Sequence, residues 1–215
     1  HALVKEAGIS EQSLTDQDIG FVIAPRLNAL GRIADANEGV ELLTTLDEDR
    51  ATKLAKAVEQ ANSKRQELVN EIMGEAQQQV DRLPQDQPVL LVVGHDWHQG
   101  VLGIVASRLM DQTGKPTIVA STNDDQKIAK GSGRSVDGFN LFAALDGHRD
   151  LMTSFGGHPA ACGLSFETEN SEKLRNVLLH EAENQHFDGQ KKQPLKIAAS
   201  ISPAEVSMQL YDQLV

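Results

Sequence analysis

Four stretches of this chain carry residue types that could do chemistry, three of them suited to holding a phosphate. The first is Phe155-Gly156-Gly157-His158. Adjacent glycines let the backbone approach a ligand and aim consecutive N–H groups at an anion. His158 adds a side-chain donor able to carry positive charge. The same residues also suit a tight turn with a structural histidine. The second is Lys130-Gly131-Ser132-Gly133-Arg134-Ser135. It is expected at a strand end, where open sheets place their ligands. There Arg134 can clamp two phosphate oxygens at once, with the hydroxyl of Ser132 beside it. A glycine-rich hairpin carrying an exposed arginine is the alternative.

The third stretch is His95-Asp96-Trp97-His98-Gln99-Gly100. It lies between an expected strand and its helix, and the helix N-terminus beyond Gly100 is an anion site by geometry. His98 is therefore counted among the phosphate-binding candidates. His95, Asp96 and His98 are also metal-ligand types, but ligands this close together in one loop rarely converge on one ion, and no metal site is assigned. Trp97 is suited either to stacking on a base or to packing. The fourth stretch, Pro25-Arg26-Leu27-Asn28-Ala29-Leu30-Gly31-Arg32, gathers Arg26, Asn28 and Arg32 in a strongly acidic half, and Ala29 and Gly31 suggest a shaped turn.

The elements that must position these residues follow from periodicity. A helix is expected over 15–30, with Thr15 and Asp18 as a capping box and Pro25 kinking or restarting it. A second, short helix follows near 37–44. Asp47 to Leu83 reads as one long helix with acidic residues at its start. Apolar residues recur along it every three or four positions, and Arg65 interrupts the stripe. A one-sided helix of that length suits a connector between two globular parts, or one arm of a coiled coil. Beyond Pro88 strands and helices alternate: strands over 88–94, 116–121, 127–132 and near 162–166, helices over 100–113, 140–147 and 171–185. That order implies an α/β fold, a long connector helix followed by a largely parallel, helix-covered sheet. A polar linker over 185–194, a strand start at 195–200 and a capped helix opening at Ser202 complete the pattern.

Composition sets the outer limits. The chain has 215 residues, 20 basic and 31 acidic, with net charge −11. Alone, that argues against a nucleic-acid binder, which usually shows a basic face. The charge is uneven: residues 1–86 hold 9 basic and 16 acidic groups, whereas residues 87–165 hold 6 and 7. This middle segment also contains 11 of the 17 glycines. No apolar run approaches the roughly 18 residues of a membrane span. The single Cys162 excludes a disulfide framework and fits a reducing, cytoplasmic compartment. The start at His1 and the interrupted pattern at the end suggest an internal piece of a longer protein.

Together the four stretches resemble the RecJ family of single-strand-specific DNA exonucleases, within the DHH phosphoesterases. The resemblance rests on Ala24 through Arg32, Trp97 through Arg108, Gly131 through Ser135, and Phe155 through Ala161 with Gly163. It covers roughly residues 18–165 in the family's order. Cys162 stands where the family often has alanine. The resemblance implies the tail of a catalytic core domain over 1–46, the connector helix over 47–86, a DHH-associated α/β domain over 87–187, and over 188–215 a linker and the start of an OB-fold. It implies cleavage of phosphodiesters in single-stranded DNA, expected 5′ to 3′, in DNA repair and recombination. The cofactor would be Mn2+ or Mg2+, held upstream of His1, since the Asp-His-His motif is absent here. A single-strand-binding protein is a possible partner. By the same resemblance His158 is catalytic, with Gly156 and Gly157 at a phosphate near the metals. Ser132 and Arg134 then receive the 5′-phosphate, and Arg26, Asn28 and Arg32 belong to the core-domain side of the cleft. Two alternatives stay open: a DHH enzyme acting on oligoribonucleotides or cyclic dinucleotides, and a non-catalytic nucleic-acid-binding module.

Overall fold

The computed structural model describes residues 1–123, 126–189 and 197–214. The first helix, α1 (Ala2–Glu6), is short. The Thr15–Asp18 capping box then forms as expected: Thr15 Oγ1 accepts the Asp18 N–H at 3.2 Å, and the Asp18 carboxylate accepts the Thr15 N–H at 2.9 Å. It opens α2 (Asp16–Asp18), which runs through a π-helical turn, Ile19–Ile23, into α3 (Ala24–Ile33). Pro25 lies in the first turn of α3. Its nitrogen carries no hydrogen for the carbonyl four residues back, and the turn just before it is the widened one. Pro25 thus restarts the helix without ending it. The shaped turn expected over 25–32 is instead α3 itself. Ala29 is small because it is fully buried there.

Asp35 caps α4 (Ala36–Thr44), and Asp47 caps α5 (Glu48–Val80), accepting the Arg50 N–H at 3.0 Å. The 33 residues of α5 span about 50 Å. Its apolar stripe serves two separate cores. Ala55, Val58 and Ala61 pack with Leu3, Ala29 and Leu30. Val69, Ile72 and Ala76 pack with Val92, Trp97, Val101 and Val105.

The second core belongs to a five-stranded sheet made of β1 (Leu90–His95), β2 (Thr117–Asn123), β3 (Gln126–Arg134), β4 (Ser154–His158) and β5 (Ala161–Glu167). Its order is β1-β2-β3-β5-β4. Only β1 and β2 are parallel; the other three pairings are antiparallel. The sheet is therefore mixed, and the expectation of a largely parallel one is corrected. The reason is chain length between strands. The β1–β2 connection holds a full crossover helix, α6 (Leu102–Thr113), while β2–β3 and β4–β5 are separated by two residues each, which suffice only for hairpins.

Helices α7 (Leu141–Asp146) and α8 (Ser171–Asn184) close one face of the sheet over Leu164, Phe166 and Ile118. On the opposite face α6 packs against β2 and β3, with α5 beside it against β1. At the end of the chain a capped turn, Pro203–Glu205, precedes α9 (Met208–Leu214). Part of the expected linker and Leu195–Lys196 lie outside the described residues, and residues 197–200 form no strand. Among the described residues no helix is long and apolar enough to cross a membrane.

Candidate phosphate-binding site

The stretch Lys130–Arg134 is part of strand β3, so its expected placement in a loop at a strand end is corrected. Strand alternation then sorts its residues onto two faces. Gly131 and Gly133 point toward the α7–α8 side. A Cβ on Gly133 would stand 2.7 Å from both Cys162 Sγ and Leu141 Cδ2, and one on Gly131 would stand 3.0 Å from Ala120 Cβ. These glycines are required by packing. Ser132 and Arg134 point to the other face, beside the first turn of α6. A Cβ on Gly103 would stand 2.7 Å from Arg134 Nη2 and 3.1 Å from Ser132 Oγ. Glycine at 103 thus makes room for the guanidinium. Arg134 Nη1 donates to Ser132 Oγ at 2.9 Å and to the Gly133 carbonyl at 2.7 Å. No carboxylate pairs with it among the described residues.

The register carries this face across to His158. Arg134 is opposite Ala161, which is opposite His158; Ser132 is opposite Gly163, which is opposite Gly156. Directly opposed residues share a face. Ser132, Arg134 and His158 therefore lie on the same side of the sheet, with His158 two strands, about 10 Å, from Arg134. The floor between them is Ala161, Gly163 and Gly156, and Cβ atoms on Gly163 and Gly156 would meet nothing within 4 Å. The α6 helix does not extend over β5 and β4, so this part of the face stays open: Gly163, Gly156 and His158 are all exposed. The next row outward, Lys130–Ser165–Ser154, continues the same chemistry. Lys130 and the two serines were not singled out from sequence. The signal was available in the alternation of β3, whose even positions 130, 132 and 134 all bear polar side chains.

Gly157 differs from its neighbour. Its φ is +152°, and a Cβ there would collide with the Ala161 carbonyl. Glycine at 157 is required by the β4–β5 hairpin itself, whatever else its N–H does.

The entry to α6 brings the other stretches to this place. His98 Nδ1 accepts the Gly100 N–H at 3.2 Å. With Nδ1 an acceptor, the neutral ring carries its proton on Nε2, which is then a donor. Arg32, at the end of α3, donates from Nη1 to the Gly100 carbonyl at 3.1 Å, and Gly100 has no room for a Cβ against the Arg32 carbonyl. Arg32, His98, Ser132 and Arg134 thus gather around the start of α6.

The remaining candidates fall elsewhere. Arg26 is tied to Glu59 by an ion pair (2.5 Å) and to the Val22 carbonyl (2.9 Å), which fixes α3 on α5. Asn28 is exposed one turn before Arg32, on the same side of α3. Trp97 is 5% exposed and fills the space above Gly94. Its Nε1 donates to Glu75 at 2.9 Å. It is a packing residue and presents no open ring face for a base. His95 and Asp96 contact one another at 3.3 Å on the surface. Among the described residues no three His, Cys, Asp or Glu side chains converge on a metal-sized space.

Comparison with known proteins bears on the family and the fold. Residues 86–184 match the DHHA1 domain family. The single-stranded-DNA-specific exonuclease RecJ of Bacillus subtilis is 41% identical over 182 residues, covering 85% of this chain and 23% of its own length. The protein of that name from Escherichia coli is 34% identical over 218 residues, covering 97% of this chain and 37% of its own. This chain thus spans about a quarter to a third of the length of the curated relatives it matches. Among solved structures, RecJ of Thermus thermophilus in complex with Mg2+ superposes with a TM-score of 0.74 at 27% identity, over 85% of this chain and 28% of that one. An exonuclease RecJ bound to manganese superposes at 0.72 and 26% identity, over 87% of this chain and 45% of that one. With a DHHA1 domain, several relatives above 30% identity and the same fold, the chain belongs to the RecJ family, over the part of those proteins that carries the DHHA1 domain.

Proposed function

We propose that this chain is the substrate-holding part of a single-stranded-DNA-specific exonuclease, expected to digest 5′ to 3′ and to serve DNA repair and recombination in the cytoplasm. The observation that supports it most directly is the shared face of Ser132, Arg134 and His158 across an open glycine floor. Arg134 and Ser132 form a preformed fork for a terminal phosphate, with no carboxylate competing for it among the described residues. His158, one row of small residues away, is placed to donate to charge developing on a phosphate oxygen. A donor already in position contributes without reorganisation during the reaction. Gly156 and Gly163 leave the sugar-phosphate backbone room to lie against the sheet. The acidic surface elsewhere does not oppose this, because only the groove must attract the strand.

The described residues do not assemble a metal site, so no step of the reaction is assigned to a metal here. The RecJ structures with Mg2+ and Mn2+ suggest that the intact protein uses such an ion through other residues. We further divide the chain into a core-domain tail (1–46), a connector (47–86), the DHH-associated domain (87–187) and a linker to a further domain (188–215). A single-strand-binding protein is the partner this reading suggests.

The test compares the intact protein with this chain alone on labelled single strands with manganese. Metal-dependent degradation by the intact protein and none by the chain is expected. Robust cleavage by the chain alone, or an intact protein without nuclease activity, would overturn the reading.

A further inference from the structure

The apolar stripe of α5 breaks at one place, between the two cores it serves. Val58 and Ala61 end the first, Val69 begins the second, and Asn62 and Arg65 lie between. Asn62 is only 1% exposed, and its Oδ1 accepts from Arg65 Nη2 at 2.9 Å. Arg65 Nε is buried with no hydrogen-bond partner. Around this seam other guanidiniums arrive from both neighbouring layers. Arg32 reaches the Gly100 carbonyl from α3, and Arg108 reaches Asn70 from α6 at 3.4 Å. Arg26 lies at Glu59. From Glu59 to Asn70 the helix rises about 16 Å.

The electrostatics are unfavourable as they stand. Burial, and then the charges of Arg108, Arg32 and Arg26, push the Arg65 guanidinium below its ordinary pKa. Glu59 offsets Arg26, but among the described residues no carboxylate lies within ion-pair distance of Arg32, Arg65 or Arg108. In a chain with 31 acidic residues, three clustered guanidiniums without a counter-charge mark a place kept clear for an external anion. Arg32 also links the seam to the site above, since it and Arg134 both stand at the start of α6.

We propose that Arg65, flanked by Arg32 and Arg108, is a second phosphate seat, holding an internal phosphodiester of a single strand whose end lies at Arg134. The seat rests on the reading that this chain binds single-stranded DNA. Arg65, pinned by Asn62, is the fixed element, and exposed Arg108 and Arg32 close on the phosphate from either side.

The experiment is fluorescence anisotropy of this chain with a 5′-hydroxyl oligothymidylate over a salt series starting at low ionic strength. The variants are Arg108→Ala, which is exposed and keeps the fold, Arg65→Lys, Arg134→Ala and the charge control Lys173→Ala on α8. Arg108→Ala and Arg65→Lys should each weaken binding by about tenfold at low salt. Arg108→Ala should also flatten the slope of log K against log salt by about 0.7, the loss of one single-strand phosphate contact. If Arg134→Ala weakens binding while both seam variants match the wild type, the seat is wrong and the sheet-face site stands. If Lys173→Ala weakens binding equally, the effect is net charge alone and the seat is again wrong. If the wild-type chain shows no binding at any salt, the seat and the DNA-binding reading fall together.

Discussion

The two faces of the β3–β5–β4 half-sheet use glycine for opposite purposes. On the α7–α8 face, Gly131 and Gly133 are glycine because Leu164, Leu141 and the Cys162 sulfur fill the space a side chain would occupy. On the other face, Gly156 and Gly163 are glycine with empty space above them, among Ser132, Arg134 and His158. The first pair is explained by packing within the chain. The second has no such explanation, and space left open beside Arg134, which has no carboxylate partner among the described residues, is what a bound backbone requires. A glycine-rich sequence thus carries two kinds of information, and only the face distinguishes them.

The largest expected effect lies on the open face. Replacing His158 with Ala in the intact protein should lower turnover about a hundredfold to a thousandfold, the ~2.7–4 kcal/mol of a preorganised donor. Thermal unfolding should barely move, because the His158 side chain is exposed. Unchanged turnover in the folded variant would reduce His158 to a hairpin residue and erase the contrast between the faces.

On the packed face the cost should fall on stability. Gly133→Ala forces Cys162 and Leu141 apart and should destabilise by about 1–3 kcal/mol in denaturant titration, as overpacking does. Removing the sulfur with Cys162→Ala should make the double substitution less damaging than the sum, since the two sites share a contact. Gly156→Ala, with open space at its Cβ, should leave stability within about 1 kcal/mol, the scale of an ordinary glycine replacement. A Gly156→Ala as destabilising as Gly133→Ala would show that both faces are packed.

Burial pushes the Cys162 thiol up from 9.0 to about 11. The folded state therefore keeps its proton where the unfolded state has lost it. Stability is unaffected below pH 9.0 and falls as pH rises from there to about 11. The full loss corresponds to about 3 kcal/mol on the scale of 1.36 kcal/mol per pKa unit. Comparing wild type with Cys162→Ala across this range isolates the thiol's share. Parallel curves would show the sulfur to be solvated and the packed face looser than its glycines imply.

Much of this was legible in the sequence because the signals are local. The capping box at Thr15, the acidic start and apolar stripe of α5 and the alternation of strand and helix depend on near neighbours, and all formed. The direction of β3, β4 and β5 was less legible, since it depends on which strands meet. The short separations at 124–125 and 159–160 were the available clue. The site was legible as residues but not as an arrangement. Spacing grouped Arg26 with Arg32, yet on α3 only Arg32 reaches Gly100, while Glu59, over thirty residues away, takes Arg26. Trp97 carried no mark distinguishing a stacking ring from a packing one until Gly94 and Glu75 were seen around it. Arg65 was visible as an interruption, and its meaning lies in guanidiniums contributed by two other helices.

The smallest expected effect is also the most specific to the open face. A 5′-terminal phosphate carries more charge than an internal phosphodiester and offers an additional oxygen to a planar fork. Arg134 is already oriented by Ser132 and the Gly133 carbonyl, so it presents that fork at little entropic cost. If it holds the strand's end, Arg134→Ala should reduce the preference for 5′-phosphorylated over 5′-hydroxyl strands by about tenfold in kcat/KM, roughly 1.4 kcal/mol. That is less than a whole hydrogen bond to a charged group, since both substrates keep contacts with the internal phosphates. Arg134→Lys should restore only part, because lysine keeps the charge and loses the fork. A ratio unchanged in both variants would mean that Arg134 serves only to fasten α6 to β3. The open face would then have to bind its strand through His158 and Lys130 alone.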